Sequence, residues 1–495
     1  AMEPCVLAND LGASSGRVIA ALIEGKTLRC HEIHRFANEP VRCCGSLYWD
    51  VLYLFNQIKK GLTLAGQHYE VKSLAIDTWG VDFGLLDESG RLIENPVCYR
   101  DERTRGILTE LSSVLSMPEL FAQTGNTPDE INTLMQLAAL KKQRPEVLER
   151  AHRLFFLPDL SGYFLTGRQA CEFAIASTSQ CLNPQRTGIH EALLQRLGLR
   201  PQLFAPLRYP GEVLGCLKAE IAEECGLGQV DVVLCGAHDT ASAIYALPKE
   251  DPHPLFLSCG TWAILGQILD QPVITKASAK LGVSNEGSPG GKTRLVRNCT
   301  GLWIIQQCKA QLERQGMPFS YDEIEAMMGQ AQSYEGLIDT QAATFREWGQ
   351  TIERIHDALK ATGQPLPKTP GELFWCVYQS LAVQMKLAFD ELEALTQQPS
   401  DTLYMVGGGC QSATLRQKIA DATGKRVVAG PVEATALGNI AVQLIREGLV
   451  SDHAAITELI QNSEKIITTL PEKSMEAQIQ RLKQIQAQMR DYAQA

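Results

Sequence analysis

The sequence predicts an α/β protein built from two related domains. A chain of 495 residues is too long for one ordinary hydrophobic core, and it favours two domains of about 200–250 residues each. The stretch P-K-E-D-P-H-P at 248–254 combines prolines with charged residues and is the best candidate linker. The flanking segments 1–247 and 255–495 each open with a strand, a glycine-centred polar turn and a second strand. This repetition indicates two domains of one design, although a strand–turn–strand layout is also common in unrelated proteins.

The segment 1–247 alternates short apolar runs with helical periodicity. Strands are expected where such runs lie between glycine or polar residues, at 5–9, 17–23, 28–36, 74–77, 83–86 and 232–234. Helices are expected over most of 103–202, where leucines follow a helical period, and at 49–66 and 240–245.

The segment 255–495 begins with L-F-L-S-C-G-T-W-A-I-L-G-Q-I-L-D, a predicted pair of strands around Gly260. A strand predicted at 402–406 precedes three consecutive glycines. The tail repeats apolar residues at mixed three- and four-residue spacing, which indicates an amphipathic helix; packing on its own domain is favoured over a partner-binding zipper. Further helices are predicted at 301–315, 351–361, 372–395, 412–423 and 434–447.

The composition restricts the partners and the compartment. With 45% hydrophobic and 21% charged residues, the chain is typical of soluble globular proteins. The net charge of -10 argues against nucleic acid or an anionic membrane as the main partner. No apolar run reaches the roughly 18 residues of a membrane-spanning helix, and residues 1–4 leave no room for a signal peptide before the first strand. The 15 cysteines are scattered and form no C-x-x-C pair, as expected for free thiols in a reducing cytoplasm.

The turn D-L-G-A-S-S-G-R at 10–17 joins two predicted strands and suits an anion. Asp10 ends a strand and could hold Mg²⁺, which prefers one or two carboxylates together with phosphate oxygens. Gly12 and Gly16 allow sharp backbone angles and let N–H groups face an anion. Side-chain donors to phosphoryl oxygens would come from Ser14, Ser15 and Arg17. The alternative is a plain hairpin with turn-forming residues, and this segment alone does not decide between the two.

The segment C-G-A-H-D-T-A-S-A at 235–243 places Asp239 between a strand and a helix. A carboxylate at such a corner can accept a proton from a substrate hydroxyl. Asp is also a common N-cap residue, so the alternative is that Asp239 caps the helix and His238 has no chemical role. Taken alone, this segment favours the cap.

Three further turns are candidates for binding. Gly260 and Thr261 could donate to a terminal phosphate, and the glycines at 407–409 could support a flat nucleobase or ribose. By themselves both turns are better explained as tight turns. Trp79, in I-D-T-W-G-V-D-F at 76–83, could shape a sugar site or lie in the core. Neither a complete P-loop motif nor a dinucleotide-binding G-x-G-x-x-G motif is present.

Together these segments resemble the FGGY family of carbohydrate kinases. The resemblance implies two actin-like (ribonuclease-H-like) ATPase domains around a central cleft. The first domain would carry the sugar site, the catalytic base and the phosphate hairpin, and the second would bind the nucleotide. The resemblance spans nearly the whole chain in order and also includes N-E-G…R-x-x-x-N-C-x-G-L-W-x-x-Q at 285–306, V-G-G-G-C-Q at 406–411 and A-G-P-V-E-A-T-A-L-G-N at 429–439.

The resemblance implies roles for individual residues. Asp239 would be the catalytic base, and Asp10 would hold Mg²⁺, with ATP as the co-substrate. ATP would be bound by Ala13, Ser14, Ser15, Gly16, Arg17, Thr261, Gln306 and Gly408. The sugar would be bound by Gly80, His238, Asp239, Thr240 and Asn298.

Within the family, the resemblance is to the branch that phosphorylates L-rhamnulose to L-rhamnulose 1-phosphate. Many members carry a Lys-apolar-x-Trp run where this chain has Q-L-A-A at 136–139, which disfavours a xylulose or glycerol kinase. A kinase for another deoxyketose, such as L-fuculose, is the alternative in the same class. Outside that class stand a catalytically silent actin-like sugar or nucleotide sensor and a filament subunit; the intact Asp10, Arg17 and Asp239 argue against a sensor. We expect a cytoplasmic monomer or homodimer that binds a sugar and ATP, and neither nucleic acid nor membrane.

Overall fold

The computed structural model describes residues 1–248 and 250–494. Lys249 of the predicted linker and the C-terminal Ala495 lie outside the described residues. The chain forms two compact units, each assembled from separated segments, so the sequence boundary at 248–254 stays a prediction. Unit 1 consists of Ala1–Glu250, Ile268–Leu295 and Glu433–Glu464, and unit 2 of Asp251–Gln267, Val296–Val432 and Lys465–Ala495.

The first half of the chain alternates strands and helices. Its strands are β1 (Pro4–Leu11), β2 (Ser15–Glu24), β3 (Thr27–Ala37), β4 (Val41–Cys43), β5 (Ser46–Tyr48), β6 (Glu70–Thr78), β7 (Phe83–Leu86), β8 (Arg153–Phe156), β9 (Cys171–Glu172), β10 (Leu207–Arg208), β11 (Val213–Cys216) and β12 (Asp231–Val233). Its helices are α1 (Val51–His68), α2 (Ile107–Leu111), α3 (Met117–Thr124), α4 (Thr133–Gln143), α5 (Pro145–Arg150), α6 (Leu157–Thr166), α7 (Phe173–Ala176), α8 (Glu191–Arg196), α9 (Ala219–Cys225) and α10 (Asp239–Tyr245).

The second half has longer helices. Its strands are β13 (Leu255–Cys259), β14 (Trp262–Leu269), β15 (Ser284–Ser288), β16 (Lys292–Thr300), β17 (Thr402–Val406), β18 (Arg426–Ala429) and β19 (Ile467–Thr469). Its helices are α11 (Lys276–Leu281), α12 (Trp303–Arg314), α13 (Tyr321–Gly329), α14 (Thr351–Ala361), α15 (Pro370–Thr396), α16 (Ala413–Thr423), α17 (Ala434–Arg446), α18 (His453–Ser463) and α19 (Glu476–Gln494).

Two sheets repeat one arrangement of strands. In the first, β3, β2, β1, β6 and β12 are neighbours in that order, with β1 antiparallel to β2 and parallel to β6. In the second, the corresponding order is β16, β14, β13, β17 and β18, with β13 antiparallel to β14 and parallel to β17. The repeated opening hairpin is therefore confirmed, and each hairpin joins its sheet through a parallel partner far along the chain, as a crossover connection requires.

The predicted strands at 83–86 and 402–406 are confirmed residue for residue as β7 and β17, and the amphipathic tail is helical as α19. The helix expected at 49–66 begins slightly later, at Val51, because the Asp50 side chain accepts a hydrogen bond from the N–H of Tyr53 and caps it. Strand β16 was not expected. Charged residues at 292, 294 and 297 interrupt its apolar pattern.

Helix α17 packs on α10 and on the strands β1 and β6 within unit 1. A Cβ on Gly438 would lie 1.6 Å from the carbonyl oxygen of Ser242, so only glycine allows this approach of the two helices. The side chain of Gln443 then donates to Leu7 O at 2.8 Å, and that of Asn439 donates to Ala75 O at 3.2 Å. These buried bonds hold the helix across the two strands that carry Asp10 and Asp77 near their ends.

Candidate active site

The turn between β1 and β2 is closed by hydrogen bonds to Gly12. Its N–H donates to Ser15 O, and its carbonyl accepts from the side chain of Asn38, both at 2.8 Å. Neither Gly12 nor Gly16 is among the described residues with a positive φ. Neither glycine therefore adopts the left-handed conformation that favours this residue. Gly16 is instead required by packing, since a Cβ there would lie 2.3 Å from the ring of Phe36.

Arg17, two residues into β2, is held between two carboxylates. Its Nη2 donates to Asp10 Oδ2 at 2.7 Å, and its Nη1 donates to the carboxylate of Glu433, directly before α17. Burial opposes the charge of Arg17, but the hydrogen bonds and charges of Asp10 and Glu433 outweigh it and raise the Arg17 pKa. The guanidinium is thus fixed and fully charged beside the turn. Glu433 had no predicted role, and its only sequence signal was its place in the 429–439 segment.

Asp10 and Asp77 face each other across the parallel strands β1 and β6. Asp77 has no exposed surface; its Oδ2 accepts from Asn439 at 2.8 Å, and its Oδ1 has no partner among the described donors. Burial, followed by the proximity of Asp10, raises the pKa of Asp77 well above its ordinary value. The sequence placed Asp77 in a motif without a role, because the pairing of strands so far apart cannot be read locally.

The two carboxylates fit a divalent cation. Among residues 1–248 and 250–494 no group of three or more His, Cys, Asp or Glu side chains could hold a metal by themselves. Mg²⁺ in phosphoryl-transfer sites needs only one or two carboxylates, because phosphate oxygens and water complete its shell. Asp10 and the unpartnered Oδ1 of Asp77 offer that donor set, and a cation there would relieve the repulsion between them.

The corner after β6 is organised around Asp82. Its Oδ2 accepts from the indole N–H groups of Trp49 at 2.6 Å and Trp79 at 3.0 Å, and its Oδ1 accepts from Gln136 at 3.0 Å. Burial raises the pKa of Asp82 despite these donors. Trp79 therefore has a structural role, with its N–H already bonded. The adjacent Gly80 is tightly placed as well, since a Cβ on it would lie within 3.0–3.1 Å of a threonine side chain.

Asp239 lies beside the end of β6. The N–H of Thr78 donates to Ala237 O at 2.9 Å, and this contact places the start of α10 next to the strand that carries Asp77. Asp239 Oδ1 accepts from the N–H of Thr240 at 2.7 Å, and 34% of the Asp239 side chain is exposed. The carboxylate is thus anchored on one oxygen and accessible to a substrate.

Asp239 is not the N-cap of α10. The cap position belongs to His238, whose side chain makes no capping bond, and Asp239 is the first helical residue. Partial burial, followed by the charge of Asp10, raises the pKa of Asp239 to about 7. A carboxylate with this pKa is a much stronger base than an ordinary Asp, and about half of it is deprotonated at pH 7. The capping interpretation is therefore wrong, and the base interpretation gains physical support.

Three predicted nucleotide residues lie close to one chain segment of unit 2. Thr261 lies in the β13–β14 turn, and its backbone carbonyl accepts from the N–H of Trp303 at 3.0 Å. The N–H of Leu302 donates to Gly260 O at 2.8 Å. Gln306 is in the first turn of α12, and its N–H donates to Leu302 O at 2.8 Å. An added Cβ on Gly408 would lie 3.9 Å from the Leu302 side chain.

Glycines let the second hairpin and the β17 turn approach closely. A Cβ on Gly301 would lie 2.4 Å from Gly260 O, and one on Gly407, whose φ is +90°, would lie 2.7 Å from Cys259 O. The predicted sugar residue Asn298 is exposed on β16. The exposed backbone at Gly408 and the half-buried Gln306 leave surface for a ligand at this end of the unit 2 sheet.

Solved structures of sugar kinases share this fold. The xylulose kinase of Lactobacillus acidophilus superposes with a TM-score of 0.82 at 16% identity and covers 99% of this chain and 99% of its own. The glycerol kinase of Plasmodium falciparum gives a TM-score of 0.78 at 13% identity, with 100% and 98% covered. The chain is therefore built from two actin-like ATPase domains.

Sequence comparison then gives the family. Residues 5–246 match the family described as "FGGY family of carbohydrate kinases, N-terminal domain". Residues 255–446 match the family described as "FGGY family of carbohydrate kinases, C-terminal domain". A rhamnulokinase of Bacteroides thetaiotaomicron is 36% identical over 473 residues, which cover 95% of this chain and 96% of that protein. A rhamnulokinase of Bacillus subtilis is 35% identical over 456 residues, covering 92% and 93%. This chain belongs to the FGGY family of carbohydrate kinases and is an ATP-dependent sugar kinase.

Proposed function

We propose that this kinase transfers the γ-phosphoryl group of ATP to the C1 hydroxyl of L-rhamnulose, giving L-rhamnulose 1-phosphate and ADP in the breakdown of L-rhamnose. The relatives named rhamnulokinase, which match nearly the full chain, support the choice of sugar. The observation that carries the reaction type is Asp239, a partly exposed carboxylate with a pKa of about 7 at the start of α10.

Asp239 is the proposed catalytic base. A sugar hydroxyl is a weak nucleophile at neutral pH, so a carboxylate that accepts its proton assists the attack. As the bond from O1 to the γ-phosphorus forms, the bond from that phosphorus to the bridging oxygen breaks, and ADP leaves. The proton of the hydroxyl ends on Asp239. Its second role is to orient the hydroxyl in line with the leaving group, which is much of what a kinase contributes.

The β1–β2 turn is the proposed phosphate site, and Asp10 is the proposed ligand of Mg²⁺. When bound, Mg²⁺ supplies positive charge that neutralises the phosphate oxygens. Arg17 is already charged and held in place by Asp10, which supports its proposed role as a hydrogen-bond donor to a phosphoryl group. The ATP phosphates would meet Ala13, Ser14, Ser15, Gly16 and Arg17.

The remaining site residues divide between sugar and nucleotide. Gly80, His238, Thr240 and Asn298 are proposed to bind the sugar together with Asp239. Thr261, Gln306 and Gly408 are proposed to bind ATP, and their grouping around residues 301–303 supports a common ligand. We keep 1–247 as the sugar domain, 248–254 as the linker and 255–495 as the nucleotide domain.

We place the enzyme in the cytoplasm as a monomer or homodimer. All 15 cysteines are free thiols, in keeping with a reducing compartment. None of the helices in the described part of the chain is both long and apolar enough to cross a membrane.

A ketose panel tests the proposal. ADP release is measured with MgATP and L-rhamnulose, L-fuculose, L-ribulose, D-xylulose or glycerol, and we expect L-rhamnulose to give the highest kcat/KM. A higher kcat/KM for L-fuculose would assign the enzyme to another deoxyketose. A higher value for D-xylulose or glycerol would contradict the branch assignment, and no turnover with any sugar would favour a silent sensor.

A further inference from the structure

Four ionisable side chains of unit 1 form a continuous series of contacts that ends at Asp239. Glu286 Oε2 lies 2.8 Å from Arg294 Nη2, and the same Nη2 lies 3.0 Å from His238 Nδ1. The other ring nitrogen of His238, Nε2, lies 3.4 Å from Asp239 Oδ1. Neither Glu286 nor Arg294 had a predicted role.

The contact with Arg294 determines which ring nitrogen of His238 carries the hydrogen. A guanidinium remains protonated in proteins and has no acceptor, so Arg294 Nη2 can only donate to His238 Nδ1. A nitrogen that accepts this bond carries no hydrogen, and the single ring hydrogen is then on Nε2. We propose that Arg294 and Glu286 are positioning residues that fix His238 as the neutral tautomer with its hydrogen on Nε2.

The surroundings of Arg294 suit this role. Its side chain is fully buried, so it cannot rotate into solvent, and Glu286 Oε2 takes a second hydrogen of the same Nη2. Glu286 Oε2 lies 3.6 Å from Nδ1, beyond hydrogen-bond distance, so the short contact of Nδ1 is the one with Arg294. Burial and the charge of Arg294 both lower the pKa of His238 well below its ordinary value, which keeps the ring neutral at physiological pH.

The fixed tautomer separates the roles of two neighbouring residues, and this consequence rests on the proposed function. With its hydrogen on Nε2, His238 can donate to Asp239 Oδ1 or to a sugar oxygen, but it cannot accept a proton from the sugar. Proton acceptance is left to Asp239. A ring freed from Arg294 would exchange between tautomers and would present an acceptor to the sugar for part of the time, so sugar binding would weaken.

The first test reads the wild-type ring directly and needs no substrate. The full-length protein is labelled with ¹⁵N-histidine, and the ring signals of His238 are assigned from their loss in His238→Gln. Long-range ¹H–¹⁵N correlation spectra distinguish the two neutral tautomers and the cation. We expect one neutral form with the hydrogen on Nε2 between pH 6 and 8. A hydrogen on Nδ1, or a protonated ring in this range, would overturn the proposal, whichever sugar the enzyme uses.

The second test separates positioning from stability. Arg294→Met should give a mixture of tautomers and reduce kcat/KM for the best sugar of the panel by about 10–100-fold, as expected for a lost buried bond to a charged group. The KM for ATP should stay nearly constant. Arg294→Lys, which keeps a charged donor, should retain the Nε2–H signal and part of the activity.

Arg186→Met is the matched control. Arg186 is also buried, and the charge of Glu286 also acts on it. None of its described hydrogen bonds goes to His238; they go to Thr124, Asn126, Asn183 and Asn285. It should lower the melting temperature while leaving the tautomer intact. If Arg294→Met lowers the melting temperature but keeps a pure Nε2–H ring and a normal sugar kcat/KM, Arg294 has only a structural role. If this variant does not fold, the wild-type spectrum still decides.

Discussion

Asp10 and Asp77 are direct partners across two adjacent parallel strands, and Asp77 is completely buried. Two carboxylates in this relationship repel each other unless a proton or a cation lies between them. Burial and Asp10 accordingly raise the pKa of Asp77. The side chain of Arg17 pairs with Asp10 Oδ2 at 2.7 Å, and the proposed cation would relieve the remaining repulsion between Asp10 and Asp77.

Replacing Asp10 tests the proposed cation site. Asp10→Asn keeps the shape of the side chain but removes its charge, so we expect kcat to fall by about 10²–10³-fold, in the range seen for loss of one electrostatic contact in a transition state. The Mg²⁺ concentration needed for half-maximal rate should rise. The measurement is ADP release over a Mg²⁺ titration at saturating sugar.

Glu433→Gln is the control for Asp10. It removes the other carboxylate partner of Arg17 and has no proposed contact with Mg²⁺. Its Mg²⁺ dependence should match that of the wild type. An Asp10→Asn enzyme with normal rate and normal Mg²⁺ dependence would remove Asp10 from the cation site.

A packing prediction concerns Gly16. In Gly16→Ala the new Cβ would lie 2.3 Å from the Phe36 ring, so the ring or the strand must move. Overpacking of this kind typically destabilises by about 1–3 kcal/mol, and the melting temperature should drop. Gly228→Ala is the control, because a Cβ there meets nothing within 4 Å. Unchanged stability in Gly16→Ala would contradict the packing account, and a Phe36→Leu background should recover part of the loss.

The pKa of Asp239 makes stability depend on pH. Its folded-state pKa of about 7 lies above the ordinary value, so the folded protein binds more protons between about pH 4 and 7. The corresponding stability is present below that range and is lost as the pH rises through 7. Asn does not titrate, so its stability does not depend on this proton. The melting temperature of Asp239→Asn minus that of the wild type should therefore increase as the pH rises from 5 to 8. We expect roughly 2–4 °C, since solvent at the partly exposed carboxylate screens part of the effect. A constant difference across this range would contradict the raised pKa.

The same group predicts a pH profile of the rate. A base must be deprotonated before it accepts a proton, so kcat/KM for the sugar should fall by about tenfold per pH unit well below pH 7 and level off above it. Melting temperatures over the same range exclude unfolding as the cause. A profile that stays flat between pH 5 and 8 would be incompatible with Asp239 as the base.

The strands and helices with clear periodicity could be predicted from the sequence. Phe83–Leu86 and Thr402–Val406 are short apolar runs with polar boundaries, and both were located without error. Strand β16 could not be predicted, because an arginine such as the buried Arg294 is expected at the surface when only the sequence is known. Its burial depends on Glu286 in another strand, and a local pattern does not contain that partner.

The site was predictable only in part. The corner at 235–243 suggested Asp239, but the choice between base and cap depended on where α10 begins and on the charge of Asp10. Asp77 and Glu433 acquire their importance from contacts with residues 67 and 416 positions away, Asp10 and Arg17. Such contacts follow from the sheet order and from the packing of α17, which only the folded chain reveals.

The most direct test is kcat of Asp239→Asn with L-rhamnulose and saturating MgATP. The amide keeps the shape and one acceptor, but it cannot take the proton, so kcat should fall by about 10²–10⁴-fold. Sugar Kd should change little, and the melting temperature should not drop. A near-normal kcat would contradict the assignment of Asp239 as the base on which the proposed mechanism rests.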